Sequence, residues 1–142
     1  MKTKVLLVDD DISVHAALNG VLRGEGYDVI RAFNGHDAME RFHTHPGIDI
    51  VLLDLCVPVE SGGDILERLN WSRPLLPVII ITALPDQEAA AQAVGVGALL
   101  EKPLDIPVLL QTMRALLAEP LEDGLARIAG QSPLRHRAIS FC

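Results

Sequence analysis

A chain of 142 residues with 49% hydrophobic side chains suits a single domain that buries about 68% of its unfolded surface. Its net charge of −7 argues against nucleic acid, whose binders need basic surfaces, and two cysteines, Cys56 and Cys142, give no disulfide framework. No apolar run approaches the roughly 18 residues of a membrane span, and Val5 to Val8 is too short for a signal-peptide core. The expectation is a soluble, cytoplasmic domain with no nucleic-acid and no membrane partner.

Residues 4–8 read as a strand, followed by Asp9, Asp10 and Asp11. Residues 12–25 place Val14, Ala17, Leu18, Val21 and Leu22 on one helical face, with Asp11 or Ser13 to cap the start and Gly24 and Gly26 at the end. Residues 27–32 form a shorter, more polar strand that suits a sheet edge. After the Asn34-Gly35 turn, residues 36–43 predict a short helix turning Ala38, Met39 and Phe42 inward, stopped by Pro46-Gly47. Residues 48–54 are the most informative stretch. Five of the seven are aliphatic, as in a strand buried on both faces of a parallel sheet, and the run stops on Asp54. Pro58 and Gly62-Gly63 end regular structure there.

Residues 63–69 predict a brief helix on Ile65, Leu66 and Leu69, with Trp71-Ser72-Arg73-Pro74 as loop. Residues 77–81 are a second buried strand, ending on Thr82. Residues 85–94 are an alanine-rich helix with Pro85 in its first turn, broken by Gly95 and Gly97. Residues 98–101 make the last strand, followed by Lys102-Pro103, and residues 105–118 close the domain as a helix that tolerates Pro107 in its first turn.

Strand and helix alternate five times with short connections, the pattern of an α/β fold with a doubly wound parallel sheet and helices on both faces. The flavodoxin-like strand order 2-1-3-4-5 fits best. Residues 1–119 form the domain. Residues 120–142, interrupted by Gly124, Gly130 and Pro133 and carrying Arg135, His136 and Arg137, are a weakly basic tail too short for a second domain.

Ligands of such sheets bind outside the carboxyl ends of the strands. Four strands deliver polar residues to that edge: Asp9 and Asp10, Asp54, Thr82, and Lys102. Each alone has a plainer reading: an aspartate as helix cap, a threonine as turn hydroxyl, a lysine as solvated charge. Together, three carboxylates repel one another unless a cation sits among them or some stay protonated. Hard oxygens without a His or Cys pair point to magnesium, or manganese in its place, rather than zinc. A lysine and a hydroxyl beside that cation suit an incoming phosphoryl group. The histidines His15, His36, His43, His45 and His136 show no repeated ligand spacing, and Cys56 has no His/Asp partner to act as a nucleophile. No G-x-G-x-x-G follows the first strand.

The segments V-L-L-V-D-D-D, D-I-V-L-L-D-L-C-V-P-V-E-S-G-G, V-I-I-I-T-A and L-L-E-K-P-L, in that order, resemble the receiver domain of bacterial two-component response regulators across residues 3–118. The nearest form is a stand-alone CheY-like receiver. The resemblance implies that Asp54 is the phosphoacceptor, charged by a histidine kinase or histidine phosphotransferase. It implies magnesium held by Asp9, Asp10, Asp54 and the backbone carbonyl of Cys56, with Asp10 a direct ligand and Asp9 acting mostly through water. Thr82 and Lys102 would contact the phosphoryl oxygens, with small Ala83 leaving the phosphorus open and Pro103 following Lys102 in the cis form. Thr82 and the fifth strand would form the switch. Here Leu99 replaces the aromatic residue usual three positions before the lysine.

Such a domain is not an enzyme beyond catalysing its own phosphorylation and dephosphorylation. An aspartate-nucleophile phosphatase needs a second acid where Cys56 stands. The other readings are a phosphorylation-independent adaptor, and a fragment of a larger regulator or hybrid kinase. Output is expected through protein contact on the face of residues 85–101 and 105–118. A monomer is expected, because Asp86 and Glu88 have no basic neighbour on their helix and Arg114 is the only base on the last one.

Overall fold

Five segments become strands: β1 (Lys4–Val8), β2 (Asp28–Ala32), β3 (Ile48–Asp54), β4 (Val78–Thr82) and β5 (Gly97–Glu101). In the computed structural model, which describes residues 2–54, 62–83 and 97–129, they form one parallel sheet in the order β2-β1-β3-β4-β5. The helices are α1 (Ile12–Gly24), α2 (Gly35–Thr44), α3 (Gly62–Ser72), α4 (Ile106–Leu117) and α5 (Leu121–Ala129). This is the expected flavodoxin-like doubly wound architecture. The helix expected over 85–94, Cys56 and Pro58 in the loop after β3, and residues 130–142 with Cys142 lie outside the described residues.

Period-two alternation along buried strands feeds two cores. Leu6, Val8, Val51, Leu53, Val78 and Ile80 face Phe42 of α2 and Ile65, Leu66 and Leu69 of α3. Val5, Leu7, Ile50, Leu52, Ile79 and Ile81 face Leu18 and Leu22 of α1 and Leu109 and Met113 of α4. The register then sets the site. Val8 lies opposite Leu53, Leu53 opposite Ile80, Asp54 opposite Ile81, and Thr82 opposite Glu101. The strands therefore finish nearly level, and their next residues emerge along one rim.

Local chemistry decides the helix ends. Asp11, not Ser13, caps α1, its carboxylate accepting the Ser13 amide at 2.8 Å. Asn34 caps α2 through the Asp37 amide, and Asp105 caps α4 through that of Val108.

Three expectations change. The buried stripe of α1 is His15, Leu18 and Leu22, while Ala17 is exposed, because the helix is turned so that the i, i+3, i+7 row meets the sheet. Helix α3 runs on through Trp71 and Ser72, read above as loop; nothing stops it before Pro74, and Arg73 still donates its amide to Leu69. Gly124, read as an interruption, lies inside α5. A Cβ there would sit 3.3 Å from both Glu119 and Leu75, so glycine lets the helix approach closely, and Arg127 pairs back to Glu119 at 2.8 Å. No helix among the described residues is long and apolar enough to cross a membrane.

Gly97 opens β5 directly against β4, and any Cβ there would collide with the Val78 carbonyl oxygen. Gly97→Ala is expected to cost about 1–3 kcal/mol, read from urea unfolding midpoints at unchanged slope.

Candidate functional site

The rim gathers the side chains that the sequence singled out. Asp9 is the first residue past β1 and is 1% exposed; Asp54 ends β3 and is 5% exposed. Asp10 faces solvent beside them, and carboxylate oxygens of Asp9, Asp10 and Asp54 all lie within 4.8 Å of one another. Lys102, just past β5, reaches across with Nζ 3.2 Å from Asp9 Oδ2 and 3.2 Å from Asp54 Oδ2. Its own amide donates to the Thr82 carbonyl at 2.8 Å, which extends the β4–β5 ladder and holds the lysine at this edge.

Thr82 is buried at the end of β4, one strand over from Asp54, and Ala83 beside it is exposed. The Lys102–Pro103 peptide bond is cis. Leu99 sits away from this cluster, half-buried opposite Ile80 and packed on the α2–α3 core. The Cys56 carbonyl falls outside the described residues.

Three carboxylates here meet one ammonium. Burial pushes the Asp9 carboxyl above its ordinary value of 3.8; the Asp11 amide pulls the other way, the Asp54 charge adds to the rise, and Lys102 counters it. For Lys102, burial favours the neutral amine, but the charges of Asp54 and Asp9 more than offset it, so its pKa is raised. Asp9 Oδ1 accepts the Asp11 amide at 2.9 Å. Its Oδ2 is buried, and among the described residues its one close polar neighbour is the Lys102 ammonium at 3.2 Å. A buried carboxylate oxygen served by a single ammonium, among three hard carboxylates, fits a small divalent cation such as magnesium.

One residue was missed by the sequence reading. His15 is fully buried beneath the acidic pair, its Nε2 2.7 Å from the Asp9 carbonyl oxygen. A lone histidine among apolar positions carries no spacing signal, so only its contacts reveal it.

The family described as the response regulator receiver domain matches residues 5–114. Transcriptional regulatory protein ZraR of Salmonella typhimurium is 38% identical over 125 residues, 87% of this chain but 28% of the relative. The chain thus spans about a quarter of the length of that relative. Sporulation initiation phosphotransferase F of Bacillus subtilis is 34% identical over 119 residues, covering 82% of this chain and 95% of the relative. Among solved structures, a chain of the CheX-CheY complex of Borrelia burgdorferi with BeF3 and Mg+2 is 30% identical, with a TM-score of 0.76 over 82% of this chain and 90% of that one. A CheY-like receiver domain protein of Methanospirillum hungatei, at 23% identity and a TM-score of 0.77 over 89% of this chain and 98% of that one, shares the fold.

The raised pKa of Asp9 has a definite sign. The folded chain holds this proton more tightly than the unfolded chain, so its contribution to stability is full below 3.8 and is lost as pH rises through the raised value. Without divalent metal at pH 7, Asp9→Asn is therefore expected to unfold at a higher temperature than the wild type, each kcal/mol gained moving the midpoint by about 3–6 °C. The gap should shrink on acidification. Thermal melts of both proteins from pH 7 down to pH 4 check this, and a less stable Asp9→Asn at pH 7 contradicts it.

Proposed function

This chain belongs to the response regulator receiver domain family, and from that premise we propose that it is a phosphoacceptor whose Asp54 takes a phosphoryl group from a histidine kinase or histidine phosphotransferase and signals by protein contact. The observation that supports this most is the Lys102 ammonium placed 3.2 Å from both Asp9 and Asp54, at the rim where the strands end.

A carboxylate oxygen of Asp54 attacks the donor phosphorus in line. The phosphorus–nitrogen bond of the phosphohistidine breaks as the new phosphorus–oxygen bond forms, and the imidazole leaves with the bonding pair. Lys102 moves from bridging two carboxylates to holding a phosphoryl oxygen, and the Thr82 hydroxyl takes another. Exposed Ala83 keeps the approach to phosphorus open. Asp9, Asp10 and Asp54, with the Cys56 carbonyl, would hold magnesium or manganese, whose charge stabilises the phosphoryl oxygens. Water later hydrolyses the aspartyl phosphate, so the domain catalyses both steps on itself and on no other substrate.

Phosphorylation biases a population of conformers through Thr82 and Leu99. Leu99 packs on the α2–α3 core through apolar contact, without the hydroxyl of a tyrosine. Output passes to a protein target through residues 85–101 and 105–118, with the chain a cytoplasmic monomer. A second reading, a receiver belonging to a longer regulator or hybrid kinase, is favoured by the 28% share of ZraR that the chain covers, and it assigns Asp54 the same chemistry.

Incubation with acetyl phosphate and magnesium should add one phosphate by intact mass. Asp54→Asn and Asp10→Ala should each abolish it, the second by weakening metal binding. Thr82→Ala should still be phosphorylated but lose most of the phosphate-induced change in amide exchange over 97–101. Equal labelling without magnesium, or labelling of Asp54→Asn, would sink the assignment.

A further inference from the structure

We infer that His15 is a positioning residue for the acidic pair: from α1 it clamps the backbone of Asp9 and so fixes the direction in which that carboxylate faces a cation. The inference rests on reading Asp9 as part of a magnesium site.

Besides the Oδ2 paired with Lys102, the polar atoms of Asp9 are all engaged. Its amide donates to the Ala32 carbonyl at 3.2 Å, its Oδ1 accepts the Asp11 amide at 2.9 Å, and its carbonyl oxygen lies 2.7 Å from His15 Nε2. The same Nε2 is 3.1 Å from the Ala32 carbonyl. Both oxygens can only accept, so Nε2 carries the hydrogen and shares it between the ends of β1 and β2. At the other ring nitrogen, Arg31 Nε donates to Nδ1 at 3.4 Å; guanidinium can only donate, so Nδ1 accepts. The ring is thus a neutral Nε2–H tautomer. Phe33 lies on it at 4.0 Å between centroids, with the Arg31 guanidinium carbon 5.5 Å from the Phe33 ring centre.

A histidine that only filled space would not need these contacts. Leucine would occupy the position without desolvating two ring nitrogens. What leucine could not do is donate to the Asp9 carbonyl, and that bond fixes the peptide from which the carboxylate springs. Partners of this kind, one step removed from a metal, typically set its affinity within about 10–100-fold.

Two variants separate positioning from packing. His15→Leu keeps the apolar volume and removes the donor; His15→Gln places an amide N–H at about the same reach. Calorimetric titration of the full chain with magnesium chloride should show about 10-fold weaker binding for His15→Leu and near-wild-type binding for His15→Gln. Unfolding curves without metal should show both variants folded. If His15→Leu does not fold, nitrogen-15 spectra of the wild-type imidazole decide: the signals should be those of a neutral Nε2–H tautomer at pH 7, and an Nδ1–H tautomer would overturn the proposal. Undiminished binding by His15→Leu, or equal weakening in both variants, would overturn it alone. A wild-type chain that takes up no magnesium would overturn it together with the reading it rests on.

Discussion

The site depends on an electrostatic imbalance that the fold sustains. Asp9 and Asp54 are almost without solvent, Asp10 adds a third carboxylate at the surface, and Lys102 supplies one ammonium between the two buried groups. Close like charges in a poorly solvated setting are unfavourable unless something balances them. The surrounding sheet holds them on an interior that is almost wholly aliphatic, with its strands paired in register up to the rim. The unfavourable ionisation of Asp9 is the measure of that constraint. The same imbalance is what would favour a cation at the rim.

How the chain encodes this is uneven. Strands β1 and β3 were legible to the residue because continuous aliphatic runs end on charged side chains, and a buried parallel strand has no other place to put an aspartate. The acidic cluster was legible for the same reason: four strand ends, read in order, each terminate in a polar residue. The end of α3 was not, because proline marks where a helix cannot continue rather than where it stops, and Trp71 can sit 85% exposed in a last turn. Helix α5 was hidden by Gly124, whose lack of a side chain serves a close approach instead of a break.

His15 shows a deeper limit. Its role comes from two carbonyl groups and an arginine that lie 6, 17 and 16 residues away in the chain. No local pattern could mark it, and in a helical projection it looks like a polar residue that has strayed onto the apolar face. The reach of Lys102 to both Asp9 and Asp54 likewise spans distant parts of the chain. Residue types at strand ends give the chemistry; the contacts that tune it arise only when distant segments meet.

The strand order carries a further consequence, for colloidal behaviour. Among the described residues the sheet has two margins, and β2 and β5 occupy them. Each is a template on which another extended chain could add, a route to aggregation. The strands β1, β3 and β4, which carry the fully buried aliphatic runs, are kept inside. The marginal strands are only five residues long; β2 carries Asp28 and Arg31, and β5 ends at Glu101 beside Lys102. Short, charged borders around a greasy centre keep the sheet from growing, and with a net charge of −7 the molecules repel one another before their edges can meet.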